Sequence, residues 1–156
     1  MVRLNKIQID WLRENFPELT YDNQSNTLSG KLHFSLQFSG CPAITDDYSI
    51  KVLFNEEDYS LLPVVHETGG KICRLAKIAN ISVDALHQYD DGQVCMIRPD
   101  KVEQWYPEGF DLPTFMDHLK THFYWVTHTA TYGKEPWAGE PHGGNFKNNS
   151  PYFNKQ

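Results

Sequence analysis

The stretch from Leu28 to Phe38 constrains this chain more than any other: Leu28, Gly30, Leu32, Phe34, Leu36 and Phe38 alternate with Ser29, Lys31, His33, Ser35 and Gln37. Successive side chains of a strand point to opposite faces, so the pattern predicts a strand with one face on a core and the other in water. A half-wetted strand of this kind belongs to an antiparallel sheet whose inner face is covered. Ser39-Gly40-Cys41-Pro42 breaks the run, and Tyr48, Ile50, Val52 and Phe54 resume it, which predicts a second strand pairing back on the first. Asn55 to Tyr59 is a loop before a third strand at Leu61-Leu62-Pro63-Val64-Val65, where Pro63 suits the first position because it has no N–H to donate. After a Gly69-Gly70 turn, Lys71 to Leu75 is short and apolar and reads as a further strand, while Ala76 to Leu86 shows no decisive period.

Two segments carry helical spacing instead. Leu4, Ile7, Trp11 and Leu12 fall on one side of an opening helix that Pro17 ends. Asp111 is placed to cap a second, with Pro113 in its first turn and Leu112, Phe115, Met116, Leu119, Phe123, Val126 and Ala130 tracing one face over about five turns. Between them Arg98-Pro99-Asp100 and Trp105 to Gly109 read as loop. The region after Gly133 is turn-rich, and residues 145–156 form a polar tail. The order of helix, antiparallel strands, loop and long helix is that of an α+β fold with helices against one sheet. We take residues 1–144 as one domain.

Composition supports a chain that folds on its own core, with 40% hydrophobic and 13% aromatic residues in a length of 156. The formal charge of −6 argues against nucleic acid or an anionic membrane as partner, since both are engaged through clustered Lys and Arg. No apolar run is long enough for a membrane span and no export signal follows Met1-Val2-Arg3, so a cytoplasmic location is expected. Cys41, Cys73 and Cys95 are too few and too widely spaced for a disulfide framework or a zinc ribbon.

The chemistry is concentrated in Leu86-His87-Gln88-Tyr89-Asp90-Asp91-Gly92-Gln93-Val94-Cys95-Met96, which sets an imidazole, a Gly turn and a thiol in one span between the strand-rich and helix-rich halves. A lone cysteine at a strand end is otherwise a small buried hydrophobe, and a loop histidine merely a hydrogen-bonded one. Cys41, in a Gly-Cys-Pro turn, has nothing basic beside it, and Cys73 lies in an apolar run and is expected in the core. His118 and His122 stand four apart on the long helix beside Asp117, a spacing that can bind zinc, but without the Glu of a metalloprotease helix or an adjacent third ligand, so no metal or other cofactor is expected. His142 lies in a Pro-His-Gly-Gly turn. Trp105, Tyr106, Tyr124, Trp125 and Trp137 are expected to pack loops onto the helix, with any exposed subset available for docking a partner.

The element order and this segment together resemble the ubiquitin-conjugating enzyme fold, in which a first helix and a four-stranded meander precede an active-site loop carrying His-Pro-Asn, a Gly-x-Ile-Cys-Leu-type segment and then the central helix. Here Tyr59 and Leu62-Pro63 resemble the Tyr-Pro and Pro-Pro punctuation before the third strand, His87-Gln88-Tyr89 falls where His-Pro-Asn would be, and Gly92-Gln93-Val94-Cys95-Met96 matches the cysteine segment. The likeness spans roughly Leu4 to Gly133. The His-to-Cys interval is two residues shorter than usual, Tyr89 stands in place of Asn, and one long helix replaces several. Those features are similar to the compact bacterial branch of the family, found with antiphage systems: the cGAS-like nucleotidyltransferase systems called CBASS and ubiquitin-like conjugation operons.

The resemblance implies that Cys95 carries the C-terminal glycine of a protein as a thioester and passes it to an amine, with His87 shaping the loop. Cysteine suits such a relay because thioester exchange is nearly isoenergetic while the thioester stays reactive toward amines. At an ordinary pKa of about 8.5, roughly a tenth of a thiol is already ionised near pH 7.5. Asp90 and Asp91 would raise rather than lower that pKa, which disfavours a protease-like thiolate, but they are placed to orient an incoming lysine, as are Asp100, Glu103 and Glu108. The family Asn is an amide donor for the oxyanion or a loop brace; in its absence Tyr89, His87 or a backbone N–H is the candidate. The implied partners are a ubiquitin-like modifier or a cGAS-like nucleotidyltransferase, and an activating enzyme. The rival readings are an inactive binding module on the same scaffold and a metal-dependent hydrolase using His118 and His122.

Overall fold

The computed structural model describes residues 2–57, 62–96 and 102–138, along which the chain forms α1 (Lys6–Asn15), β1 (Leu19–Asp22), β2 (Thr27–Leu36), β3 (Ile44–Glu57), β4 (Pro63–Glu67), α2 (Lys71–Ala79), a 3-10 turn (Asp84–Leu86), α3 (Val102–Trp105) and α4 (Leu112–Tyr132). The strands make one four-stranded sheet in the order β1-β2-β3-β4, each antiparallel to its neighbour. The fold is α+β, with Leu28 opposite Val52, Gly30 opposite Ile50 and Leu32 opposite Tyr48 as the alternation requires. Leu28, Leu32, Phe34, Tyr48, Ile50, Val52 and Phe54 are buried on the inner face. Pro63 opens β4.

Three strand assignments change: Asn55–Glu57, read as loop, continues β3. Leu19–Asp22 is a strand too short to show a period, paired with residues 27–30 across the Asp22–Asn26 turn. Lys71 to Leu75, expected as a strand, is the first part of α2. Ile72 and Ala76 form its buried stripe one turn apart. Its N-terminus is capped from outside: Glu67 accepts the Gly69 amide at 2.6 Å on Oε2 and the Ile72 amide at 2.9 Å on Oε1. A carboxylate held at free N–H groups is where a helix start stabilises negative charge. Asn80, left-handed at φ 56°, ends the helix.

α1 is capped by a reciprocal Asn5–Gln8 box and buries Leu12, but Ile7, expected on the apolar side, is 81% exposed. The face that packs is set by Ile9, Leu12 and Phe16, with Trp11 against Phe16 at 5.7 Å between centroids. Trp105, read as loop, lies in the short α3.

α4 begins at Asp111, whose carboxylate accepts the Thr114 amide, with Pro113 in its first turn, and ends at Gly133. The apolar face named from sequence is buried from Leu112 to Val126, with Ala130 only partly buried, and His118, Thr121, His122, Tyr124, Trp125 and His128 on its other sides are buried too. The helix is therefore covered on most of its surface, with the sheet on one side and α2, the 3-10 turn and the 102–110 segment among the elements around it, while Asp117 and Tyr132 stay exposed. Tyr48 stacks on Phe123 at 4.4 Å to join sheet to helix. A polar knot does the same at the end of β3: Thr127 donates to Asp46 Oδ2 at 2.7 Å and lies 2.7 Å from the Tyr48 hydroxyl, while Lys71 pairs with Asp46 and donates to the Asp47 carbonyl. Burial pushes the Asp46 carboxyl up, but hydrogen bonds from Lys71, Thr127 and the Asp47 amide outweigh it and leave the group below its ordinary value. No helix among the described residues is long and apolar enough to cross a membrane.

Candidate active site

Residues 87–95 form a tight hairpin. Gln88 and Val94 face each other as a pair without mutual hydrogen bonds, flanked by the Cys95 amide donating to the His87 carbonyl at 2.8 Å and the Tyr89 amide donating to the Gln93 carbonyl at 2.8 Å. Gly92 makes the turn: its amide reaches the Tyr89 carbonyl at 3.0 Å and its φ is +94°. A side chain there would meet strain twice over, because its Cβ would also lie 3.2 Å from the Glu67 carbonyl. Asp91 Oδ1 accepts the Gln93 amide at 3.0 Å, so this carboxylate braces the turn.

The thiol-bearing arm lies along β4 and extends the sheet edge. Val94 donates to the Val65 carbonyl at 2.9 Å, Glu67 to the Gly92 carbonyl at 2.9 Å, and His66 bridges Gln93. Side chains alternate across this arm as in any strand. Gln88, Val94 and Met96 are buried, whereas His87, Tyr89, Gln93 and Cys95 are half-buried. Cys95, Gln93 and Tyr89 therefore share the outer face. Asp90 and Asp91 are exposed at the tip.

His87 caps the 3-10 turn in a left-handed conformation, φ 58°, which swings its ring onto α4: it meets Trp125 edge to face, centroids 4.8 Å apart. His122, one turn earlier on that helix, is 6% exposed and has no hydrogen-bond partner on Nε2 among the described residues. Burial, reinforced by charge on nearby His87, pushes its pKa down to about 3, so it is neutral in ordinary conditions. Trp125 is 4% exposed and donates its indole N–H to the Trp137 carbonyl at 2.9 Å. Trp137 stacks on Tyr124 and meets Phe38 edge to face. The aromatic residues thus act as packing between loops and helix.

His118 and His122 are both buried in this aromatic layer, and His118 Nδ1 lies 2.9 Å from the Tyr106 hydroxyl. No group of three or more His, Cys, Asp or Glu among the described residues is arranged to hold a metal. Cys73, expected in the core, is exposed, because the helical turn of α2 points it away from Ile72 and Ala76. Cys41 is half-buried, close enough to Tyr124 to help burial push that phenol up to about 12. Glu103 and Glu108 are exposed beyond the thiol. Asp100, Tyr59, His142 and the tail from 145 lie outside the described residues.

His87, Tyr89 and Cys95 lie on one hairpin, as their spacing predicts, whereas the seat of His87 on Trp125 and the place of Gln93 on the face of the thiol were not expected. The polar–apolar alternation of Gln93-Val94-Cys95-Met96 carried the second signal; nothing in the sequence carried the first. Compared with known proteins, the chain matches no family model, and no curated protein or solved structure matches it significantly.

Proposed function

We propose that the protein is a ubiquitin-conjugating-like acyltransferase in which Cys95 receives the C-terminal glycine of a protein as a thioester and passes it to an amine. The observation that carries the reading is Cys95 itself: a half-buried thiol on the outer face of a braced hairpin, its amide bonded to the His87 carbonyl, at the edge of a four-stranded antiparallel meander. A thiol so placed is rigid enough to present a carbonyl repeatedly in one geometry, yet open enough to meet a second protein. The order of helix, meander, thiol and long helix agrees with the ubiquitin-conjugating resemblance; α2 and the 3-10 turn between β4 and the thiol lie outside the likeness as drawn from sequence.

In this reading the Cys95 thiolate attacks the incoming thioester, the upstream thiol leaves, and an amine then displaces Cys95 with loss of its proton to water or to a carboxylate. His87 shapes the loop, and Tyr89, Asp90, Asp91 and Asp100 are the residues around which the acceptor is oriented. The substrate is a ubiquitin-like modifier or the C-terminus of a cGAS-like nucleotidyltransferase, in antiphage defence, supplied by an activating enzyme. Mixing the protein with ATP, an activating enzyme and candidate proteins from its own locus, then separating the products without reductant, tests it. A thiol-sensitive adduct that vanishes in Cys95→Ala is expected; an adduct that survives this substitution, or none with any candidate, sinks the proposal.

A further inference from the structure

The thioester reading leaves a chemical gap: Tyr89 stands where the resemblance places an amide donor, yet the tetrahedral intermediate formed at Cys95 carries an oxyanion that needs one. We propose that the side-chain carboxamide of Gln93 supplies it. The inference rests on that reading and assigns a catalytic role within the same site.

Three observations converge on Gln93. It lies two positions before Cys95 on an arm whose burial alternates, half-buried at Gln93 and Cys95 and buried at Val94 and Met96, so its side chain and the thiol emerge on the same face. Its backbone is pinned on both sides: the amide donates to Asp91 Oδ1 at 3.0 Å, the carbonyl accepts from Tyr89 at 2.8 Å, and the residue bridges His66 on β4. Among the described residues its carboxamide makes no hydrogen bond, so this donor on the thiol's face of the arm is not committed to another group.

The reach is right. Residues two apart on a strand are separated by roughly 6.5–7 Å. An extended glutamine side chain on one residue and an acyl group on the thiol of the other are together long enough to span that gap, so the carboxamide is able to reach the roughly 3 Å that an oxyanion donor requires. A carboxamide N–H is also the same chemical group as the amide that Tyr89 replaces. The hydroxyl of Tyr89 extends from the opposite arm of the hairpin, and the backbone amide of Cys95 is already committed to the His87 carbonyl.

The step balances without a co-reactant. The Cys95 thiolate forms a C–S bond to the acyl carbon as the carbonyl π electrons move to oxygen, where Gln93 stabilises them; the electrons return as the leaving thiolate departs. The amine repeats the sequence, a C–N bond forming as Cys95 leaves and the ammonium proton passing to solvent.

The test uses the full chain carrying Cys41→Ser and Cys73→Ser, so that one thiol remains, and as probe a glycylglycine peptide thioester of mercaptoethanesulfonate. Acylation of Cys95 and its discharge to hydroxylamine are followed by intact mass. Gln93→Leu should slow both steps about a hundred- to thousand-fold, with Gln93→Asn between it and the parent. Alkylation of Cys95 by iodoacetamide, which builds no oxyanion, should keep its rate in all three. Equal acylation and discharge rates in parent and Gln93→Leu overturn the inference while leaving the thioester reading intact. Alkylation slowed in step with acylation shows a disturbed loop and also overturns it. A parent protein that alkylates at Cys95 but is never acylated there removes the thioester reading and this inference together.

Discussion

The backbone amide of Cys95 donates to the carbonyl of His87 at 2.8 Å, and the ring of that same His87 rests edge-on against Trp125. The thiol is therefore tied to the central helix through one residue held in a left-handed conformation. Whatever loosens His87 loosens Cys95.

Trp125→Phe tests this link. The variant keeps an aromatic face for His87 but abandons the Trp137 carbonyl, a loss of about 1 kcal/mol for an unreplaced hydrogen bond. Amide exchange should speed up at residues 133–138 and at Cys95 together. Acceleration confined to the C-terminal turn would show that the two ends of the tryptophan act separately.

Gly92→Ala forces a side chain into φ +94° with its Cβ 3.2 Å from the Glu67 carbonyl. The cost should be roughly 1–3 kcal/mol, read as a fall in thermal midpoint, and iodoacetamide should modify Cys95 faster as the hairpin opens. An unchanged midpoint and unchanged labelling would show that the turn is not held as described.

His122 gives stability a pH dependence whose sign follows from its burial. The folded group, pushed down to about 3, binds its proton less readily than the unfolded one near 6.5, so the unfolded state takes up more protons between those values. Its contribution is complete above about pH 6.5 and falls by roughly 1.4 kcal/mol per pH unit below it. Denaturant titrations from pH 7 to pH 4 should show that slope in the parent and a flatter one in His122→Leu, which also removes the unpartnered Nε2. Equal slopes would remove His122 as the cause.

Asp46 has a linkage of the same sign in a lower window. Its folded pKa is depressed, so its contribution is present above the unfolded value of about 3.9 and is lost as pH falls through the lower folded value. Asp46→Asn should lose stability at neutral pH, because Lys71 keeps its charge without its partner, and should converge on the parent only below about pH 4. A gap between the two unfolding curves that does not begin to narrow as the pH falls below about 4 would contradict this.

Much of the sheet was legible because the side-chain period of a strand is short enough to declare itself in one element: Leu28 to Leu36 and Tyr48 to Phe54 each show it, and their register follows. Leu19–Asp22 spans too few residues for any period, and α2 was misread because Ile72, Leu75 and Ala76 satisfy an apolar run and a helical stripe alike. What decides the second case is Glu67, whose side chain caps the helix from the end of the preceding strand; that contact exists only in three dimensions. The exposure of Cys73 follows from the same error. At the site, the spacing of His87, Gly92 and Cys95 was enough to place them together, because a tight turn needs only local chemistry. The seat of His87 on Trp125 joins residues far apart in the chain, and the burial of the histidines of α4 could not be read from its helical period, since His118, His122 and His128 look like a polar face until an aromatic layer covers them.

Glu67 has a consequence for how the molecule yields. Its carboxylate holds the start of α2 while its own amide holds the carbonyl of Gly92 at the hairpin turn, so one residue is a shared rivet for a helix and for the loop that bears the thiol. The two cannot breathe independently. A force applied to the outer surface of α2 is delivered to the hairpin beneath Cys95, a mechanical route into the site from a face that never touches the thiol.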